Sequence, residues 1–311
     1  MTGRTLRLFV IVLVCSTLVN AGAAAESPLA VRYREGLVHG FLVLSTLAGE
    51  PLAHGELTQV SRSDRVTTHV VFRFKDGSIH DETTIFSQHG NFRLLSYRLE
   101  QKGPTFRYPM EMSIDNASNQ VTVHYTEDEK EKVAHDQMRL PADLANGLLF
   151  TLLKNIQPAQ SSMNASMVVA TPKPRLVKLT VTPQGEELFT IGDSKLTAIE
   201  YVVKLEIGGV AGAIAPLVGK QPPDLHIWIL GGEAPVFVKS EGPLFAGGPI
   251  WRIELTSPVW SGSNLAKKQA ELTSCFRTFA QVIDSPGKWN ADRFSGSAFF
   301  STNKISTRSY W

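Results

Sequence analysis

The fold is decided by one stretch of sequence, Val66-Thr67-Thr68-His69-Val70-Val71-Phe72-Arg73-Phe74-Lys75-Asp76-Gly77-Ser78-Ile79-His80-Asp81-Glu82-Thr83-Thr84-Ile85-Phe86. β-Branched and aromatic residues dominate both ends of this stretch, which is typical of strands. The Asp-Gly pair between them is favoured in tight hairpin turns. The stretch therefore predicts two antiparallel strands joined by a short turn.

This hairpin belongs to a longer series of short strands that begins near residue 36 and ends near residue 126. Strands at a spacing of about eight to twelve residues, separated by polar turns, indicate a curved antiparallel sheet. A second set of strands is predicted over 167–170, 175–182, 187–191, 196–207, 225–230, 236–240 and 249–255. The mixed charge run at 127–132 is interpreted as an exposed hairpin tip, in preference to a docking patch.

One helix is predicted between the two strand sets, over residues 142–155. Pro141-Ala142-Asp143 is typical of a helix start, the leucines that follow form a wide apolar face, and Pro158 prevents continuation. Because a single apolar helix must bury that face, we expect the sheet to wrap around it or to rest on it. The predicted fold class is mainly β (α+β), with a central covering helix around 142–155.

The N-terminal residues are typical of a secretory signal peptide. Arg4 and Arg7 precede an apolar run at 8–14, and small residues follow at 21–25. This run is shorter than the roughly 20 residues of a membrane span, so cleavage near Ala25 is predicted. The mature chain contains no later run of eighteen apolar residues, and we expect it to have no transmembrane segment. A periplasmic or secreted bacterial location follows.

Composition limits the remaining possibilities. The formal net charge is only +2, which gives no indication of nucleic-acid binding. Cys15 lies in the predicted signal and Cys275 near the far end, so the mature chain can form no internal disulfide. Residues 30–260 are interpreted as a single domain. The tail at 261–311 lacks a clear period and is expected to be poorly ordered, or to be an abnormal extension of the reading frame.

Standard catalytic motifs are missing, so no catalytic residue, metal ligand or cofactor is predicted. His80 and Glu82 share one face of a strand while Asp81 faces the other, because side chains alternate. An exported hydrolase or metalloenzyme centred on His80 and Glu82 remains an alternative. A metal site there would need a further ligand, taken from His39, His54, His69 or His89.

An apolar ligand site is the preferred interpretation. Residues 208–219 are rich in glycine and small apolar residues, which predicts either a mobile flap over a cavity or a buried crossover. Several large apolar residues are candidates for lining the cavity. They are Leu148, Leu149, Leu152, Val210, Ile214, Leu217, Trp228, Phe237 and Trp251.

The layout resembles that of bacterial periplasmic proteins of unknown function that are allied to the LolA and LolB lipoprotein carriers. The matching segments are 66–99, 140–149, 223–230, 235–239 and 249–255. The resemblance implies an incomplete barrel, formed by a strongly curved sheet whose open side is covered by helices. It also implies an apolar cavity for an acyl chain or another lipid-like ligand. The chain differs from the carriers in its greater length and in having one convincing helix.

Three functions follow from these observations. The first is an exported, non-enzymatic binding or carrier protein with an apolar groove for a lipid-like ligand. The second is an envelope protein with a solid core that binds another protein through exposed strand edges. The third is the enzyme centred on His80 and Glu82.

Overall fold

A computed structural model describes residues 28–127, 129–157, 160–191, 194–206 and 222–256. The chain divides into two units, Met1–Ser257 and Pro258–Trp311, and all the described residues belong to the first. The predicted signal peptide, the segment at 208–219 and the tail at 261–311 lie outside the described residues.

The described residues form fourteen strands and one α-helix. The strands before the helix are β1 (Val38–Thr46), β2 (Pro51–Arg62), β3 (Arg65–Phe74), β4 (Ile79–Ser87), β5 (Arg93–Lys102), β6 (Met110–Asp115), β7 (Gln120–Glu127) and β8 (Lys130–Gln137). The helix is α1 (Leu149–Asn155). The strands after it are β9 (Met163–Val169), β10 (Arg175–Ile191), β11 (Ser194–Glu206), β12 (Leu225–Leu230), β13 (Val236–Pro243) and β14 (Ile250–Thr256).

All fourteen strands belong to one antiparallel sheet, in the order β8-β7-β6-β5-β4-β3-β2-β1-β14-β13-β12-β11-β10-β9. Each half is a meander of neighbouring strands, and β1 joins the halves by pairing with β14. Strands β8 and β9 stand at opposite edges of the order, so the curved sheet does not close into a barrel. The predicted fold class is confirmed.

One face of the curved sheet carries the core, which we call the inner face. Alternation along β3 illustrates why: Val66, Phe72 and Phe74 are buried in the core, whereas His69 and Arg73 point to the outer face. The same period places apolar side chains from both halves of the sheet in one continuous cluster. Burial of this cluster is the main source of stability.

Residues 138–157 connect the two edges of the sheet, because β8 ends before them and β9 begins after them. Leu140, Leu144 and Leu148 on this crossing segment are buried in the inner-face core. The helix begins at Leu149, later than the predicted start at 142. Gly147, at φ +66°, has a left-handed backbone that cannot continue a helix.

Residues 143–146 cannot be helical because they are bonded to the edge of β9. The Ala145 N–H donates to the Ser166 carbonyl at 2.7 Å. The Asn146 side chain makes the pair of hydrogen bonds that a neighbouring strand would make. Its amide donates to the Val168 carbonyl and its oxygen accepts from the Val168 N–H, each at 2.8 Å. The crossing segment therefore covers this edge of the sheet.

The charge run at 127–132 forms the β7–β8 hairpin, with Glu127 opposite Lys130 and an ion pair between Glu127 and Lys132. The prediction of a hairpin tip is confirmed, although β8 itself was not predicted as a strand. Within the described ranges, no helix combines the length and hydropathy that a bilayer crossing requires.

Replacing Gly147 with alanine should destabilise the fold more than the same change at Gly90. Both glycines have positive φ, which costs an L-residue about 1–2 kcal/mol. A Cβ at Gly147 would also lie 1.8 Å from Thr84 Oγ1, whereas a Cβ at Gly90 meets nothing within 4 Å. Overpacking should add about 1–3 kcal/mol to the cost at Gly147. Urea unfolding of the two variants measures the difference, and equal losses would contradict the close contact.

Candidate functional site

The described candidates for the apolar site occupy different environments. Leu148, Leu152, Phe237 and Trp251 are buried within the inner-face core, and the half-buried Leu149 packs against it. Helix α1, which contains Leu149 and Leu152, lies against β12 and β13. Val210, Ile214 and Leu217 lie outside the described residues. The structure thus brings five of the predicted residues into one apolar region.

Trp228 does not belong to that region. Its neighbours Ile227 and Ile229 occupy the inner face of β12, so alternation turns the indole to the outer face. There the Lys239 ammonium lies 3.7 Å from the centroid of the indole ring, and the His226 ring stacks beside it at 6.1 Å. The prediction that Trp228 shares a cavity with the helix leucines is corrected, because its strand position has the opposite parity.

Trp251 lies in an aromatic cluster at the inner face. Its ring contacts Phe74 at a centroid distance of 5.6 Å and Phe245 at 5.8 Å, and Phe106 contacts both phenylalanines. Phe74 and Phe106 were not predicted as site residues, because nothing local distinguishes them from other strand and loop aromatics. The cluster fills space that the sequence assigned to a ligand.

The apolar region reaches the protein surface at α1. Phe150 stacks on Phe237 with ring centroids 4.3 Å apart and an interplanar angle of 28°. Phe237 is buried, whereas Phe150 keeps 37% of its surface exposed. The N-cap residue of α1 is Leu148, which makes no side-chain hydrogen bond there. We call Leu149, Phe150 and Phe237 the rim.

The other end of α1 is fixed by buried polar contacts. The Asn155 side-chain oxygen accepts hydrogen bonds from the backbone N–H groups of Arg32 and Tyr33, at 2.9 and 2.7 Å. Lys154 forms an ion pair with the buried Glu35 at 2.5 Å. These contacts attach the segment before β1 to the C-terminal end of α1. Periodicity could not reveal them, since the partners are more than a hundred residues apart.

His80 is buried on the inner face within a short chain of polar contacts. Gln101 Nε2 lies 3.1 Å from His80 Nδ1, and His80 Nε2 lies 3.5 Å from Glu82 Oε2. Gln101 also donates to the Leu244 carbonyl at 3.3 Å. Among the described residues, no hydroxyl or thiol hydrogen bonds with His80. The arrangement satisfies a buried imidazole and provides no nucleophile–base pair.

The other histidines proposed as partners of His80 lie elsewhere. His39 pairs with Glu56 at 2.8 Å and His69 with Asp81 at 2.9 Å, both on the outer face, and His89 pairs with Asp64 at 2.9 Å. His54 is on an outer-face position of β2, opposite Arg73. Over the described ranges, no three His, Cys, Asp or Glu side chains converge as metal ligands.

An outer-face groove of about 480 Å³ lies across β4 to β7. The residues that line it include Thr83, Ser96, Arg98, Ser113 and Thr122. The guanidinium of Arg98 is held by Glu111 at 2.9 Å. This groove shares no residue with the predicted apolar site.

A similar solved structure is a β-barrel-like protein with a domain of unknown function, DUF1849, from Brucella abortus. The TM-score is 0.43 at 10% sequence identity, and the match covers 73% of this chain and 99% of that chain. The sequence matches no protein-family model and no curated protein. A bacterial β-barrel-like protein of unknown function is therefore a structural neighbour, while the likeness to the LolA and LolB carriers stays a prediction.

Tyr97 should make stability fall at alkaline pH. Burial, reinforced by the negative charge of Glu82, raises the pKa of the Tyr97 hydroxyl well above its usual value of 10.0. The unfolded chain loses this proton at a lower pH than the folded chain. The contribution of Tyr97 to stability is therefore fully present below pH 10 and is lost as the pH rises above it. Tyr97→Phe should reduce that decline, as measured by urea unfolding between pH 9 and pH 11. Tyr108→Phe, at an exposed tyrosine, should leave the decline unchanged.

Proposed function

We propose that the protein is an exported, non-catalytic binding protein that holds a lipid-like apolar ligand against the rim. The observation that carries the proposal is the Phe150–Phe237 stack, in which an aromatic side chain on a short helix remains partly exposed above a buried partner. An acyl chain that entered between helix and sheet would gain about 0.8 kcal/mol per buried methylene.

The two ends of α1 support this proposal by their difference in attachment. Lys154 and Asn155 hold the C-terminal end through a buried ion pair and buried hydrogen bonds. At the other end, the side chains of Leu149 and Phe150 make apolar contacts, while the backbone just before them is bonded to β9 through Ala145 and Asn146. Apolar contacts are non-directional, so Leu149 and Phe150 can exchange protein contacts for ligand contacts at little cost while the helix stays attached.

The proposal that the protein is exported rests on its N-terminal residues alone. Edman sequencing or intact mass of the protein from cell fractions tests it, because a mature chain should begin near Glu26 and be released with the periplasm. Recovery of the full-length chain from the cytosol would remove this part of the proposal.

A second candidate is an envelope interaction module with a solid core. The filled aromatic cluster around Trp251 favours it, because that part of the inner face is occupied by Phe74, Phe106 and Phe245. The two candidates differ in what they require of the rim. A carrier uses Phe150 to bind a ligand, whereas a solid module requires no ligand contact there.

Replacing Phe150 with aspartate should weaken the binding of a fatty acid by about tenfold or more, because a charge would lie beside the alkyl chain. The measurement is titration of the mature protein with a fluorescent C16 fatty acid, supported by native mass spectrometry. Phe41→Asp is the matched control, since Phe41 is similarly exposed (41%) but lies on the outer face.

Equal binding by the Phe150→Asp variant and the unaltered protein would overturn the proposed site. Failure of the unaltered protein to take up any fatty acid would favour the solid interaction module. Circular dichroism and urea unfolding of each variant would exclude loss of the fold as the cause.

A further inference from the structure

Among the described residues, one edge of the sheet is covered by another segment of the chain and the other edge is not. Residues 143–146 cover β9 through Ala145 and Asn146, which satisfy backbone groups of Ser166 and Val168. Strand β8 stands at the other end of the strand order, and within the described ranges it pairs only with β7. A strand edge with unpaired backbone groups is a template for a further strand.

The register identifies which backbone groups of β8 are available. The Met138 N–H donates to the Asn119 carbonyl at 3.1 Å, which continues the β7–β8 register beyond the end of β8. Hydrogen-bonded pairs alternate along an antiparallel ladder, so even-numbered residues of β8 bond to β7. The backbone N–H and C=O groups of Glu131, Val133 and His135 therefore point away from the sheet.

The side chains of β8 are self-complementary about Val133, which is 49% exposed. In an antiparallel pair of two β8 strands centred on Val133, residues whose numbers sum to 266 lie opposite each other. Lys130 then faces Asp136, and Glu131 faces His135. Within one chain, no ion pair of Lys130, Glu131 or Asp136 is found among the described residues.

Neighbouring registers fit less well. A shift by two residues in one direction, which keeps the same backbone groups bonded, places Lys132 opposite its own copy, and like charges directly opposite are destabilising. A shift in the other direction keeps a charge pair, Lys132 opposite Asp136, but places Glu131 opposite Gln137 and so loses the Glu131–His135 contact on each side. Among these three registers, only the one centred on Val133 places a carboxylate opposite a basic side chain on both faces of the new ladder.

We propose that β8 pairs with β8 of a second copy of this chain, antiparallel and centred on Val133, to form a symmetric dimer with a continuous sheet. Each of the pairs 131–135, 133–133 and 135–131 exchanges two backbone hydrogen bonds, about six in all. The interface is isologous, as in most homodimers. Because a single strand edge buries little surface, the dimer forms reversibly and depends on concentration.

Sedimentation of the mature full-length protein over a range of concentrations tests the dimer. A monomer–dimer equilibrium is expected, and a monomer at millimolar concentration would overturn the proposal. Val133→Pro removes an N–H that points away from β7, so it should leave the monomer folded and raise the dimer dissociation constant by at least about tenfold. Val133→Thr keeps that N–H and should retain the dimer. A folded Val133→Pro variant that still dimerises fully would place the contact elsewhere.

Charge exchange tests the register. Lys130→Asp places two carboxylates opposite each other, and Asp136→Lys places two ammonium groups opposite each other, so each variant should weaken the dimer. The double variant Lys130→Asp/Asp136→Lys restores opposite charges and should recover the dimer toward the original dissociation constant. Additive weakening in the double variant would show that the two positions do not face each other.

Crosslinking supplies an independent measurement. In a Cys275→Ser background, Val133→Cys should form an intermolecular disulfide under mild oxidation, because the Cα atoms of a hydrogen-bonded pair are about 5.5 Å apart, within the range for a disulfide. Val60→Cys, at another exposed valine (42%) within the sheet, should form no intermolecular disulfide, because it lies away from β8. Equal crosslinking at both positions would indicate random collision and overturn the interface.

Discussion

The pairing of β1 with β14 holds the two halves of the sheet together. Every other ladder joins strands that follow one another in the chain, whereas this one places Phe41 opposite Thr256 and Thr46 opposite Trp251. Closing so long a loop has a high entropic cost, which must be offset by the contacts it creates. The aromatic cluster of Trp251, Phe74, Phe106 and Phe245 lies where the two halves meet. Burial of these four aromatic side chains provides favourable free energy that offsets the entropic cost of closing the loop.

The crossing segment at 138–157 follows from an open sheet. It must pass over an apolar inner face without leaving backbone groups unsatisfied. It does so by bonding to the β9 edge through Ala145 and Asn146, by turning at Gly147, and by forming one short helix. Among the described residues, β8 is then the edge that no other segment covers. The same segment also sets the position of the rim.

The polar groups of the inner face serve mainly to position other parts of the structure. Glu35 and Asn155 attach the segment before β1 to α1, and the Gln101–His80–Glu82 contacts lie beneath the turn at Gly147. Buried polar groups require partners, and these are supplied from distant parts of the chain. This explains how a histidine and a carboxylate with the spacing of a catalytic pair can be structural. Among the residues that the structure describes, their neighbours provide neither a nucleophile nor a third ligand.

By itself the sequence determined most of the strands, though not β8, as well as the Asp76-Gly77 turn and the antiparallel class, because these depend on local periodicity and turn chemistry. It also placed Leu148, Leu152, Phe237 and Trp251 among the residues of one apolar region. Only the tertiary structure decided the β1–β14 pairing, the late start of α1, the outward position of Trp228 and the attachment of Asn155 to Arg32 and Tyr33. Those features depend on strand parity at a bulged ladder or on contacts between residues that are distant in the chain, such as Phe41 with Thr256 and Arg32 with Asn155. Neither a bulge nor a long-range contact leaves a periodic signal in the sequence. Tertiary packing selects the residues that meet, and their neighbours in the chain do not.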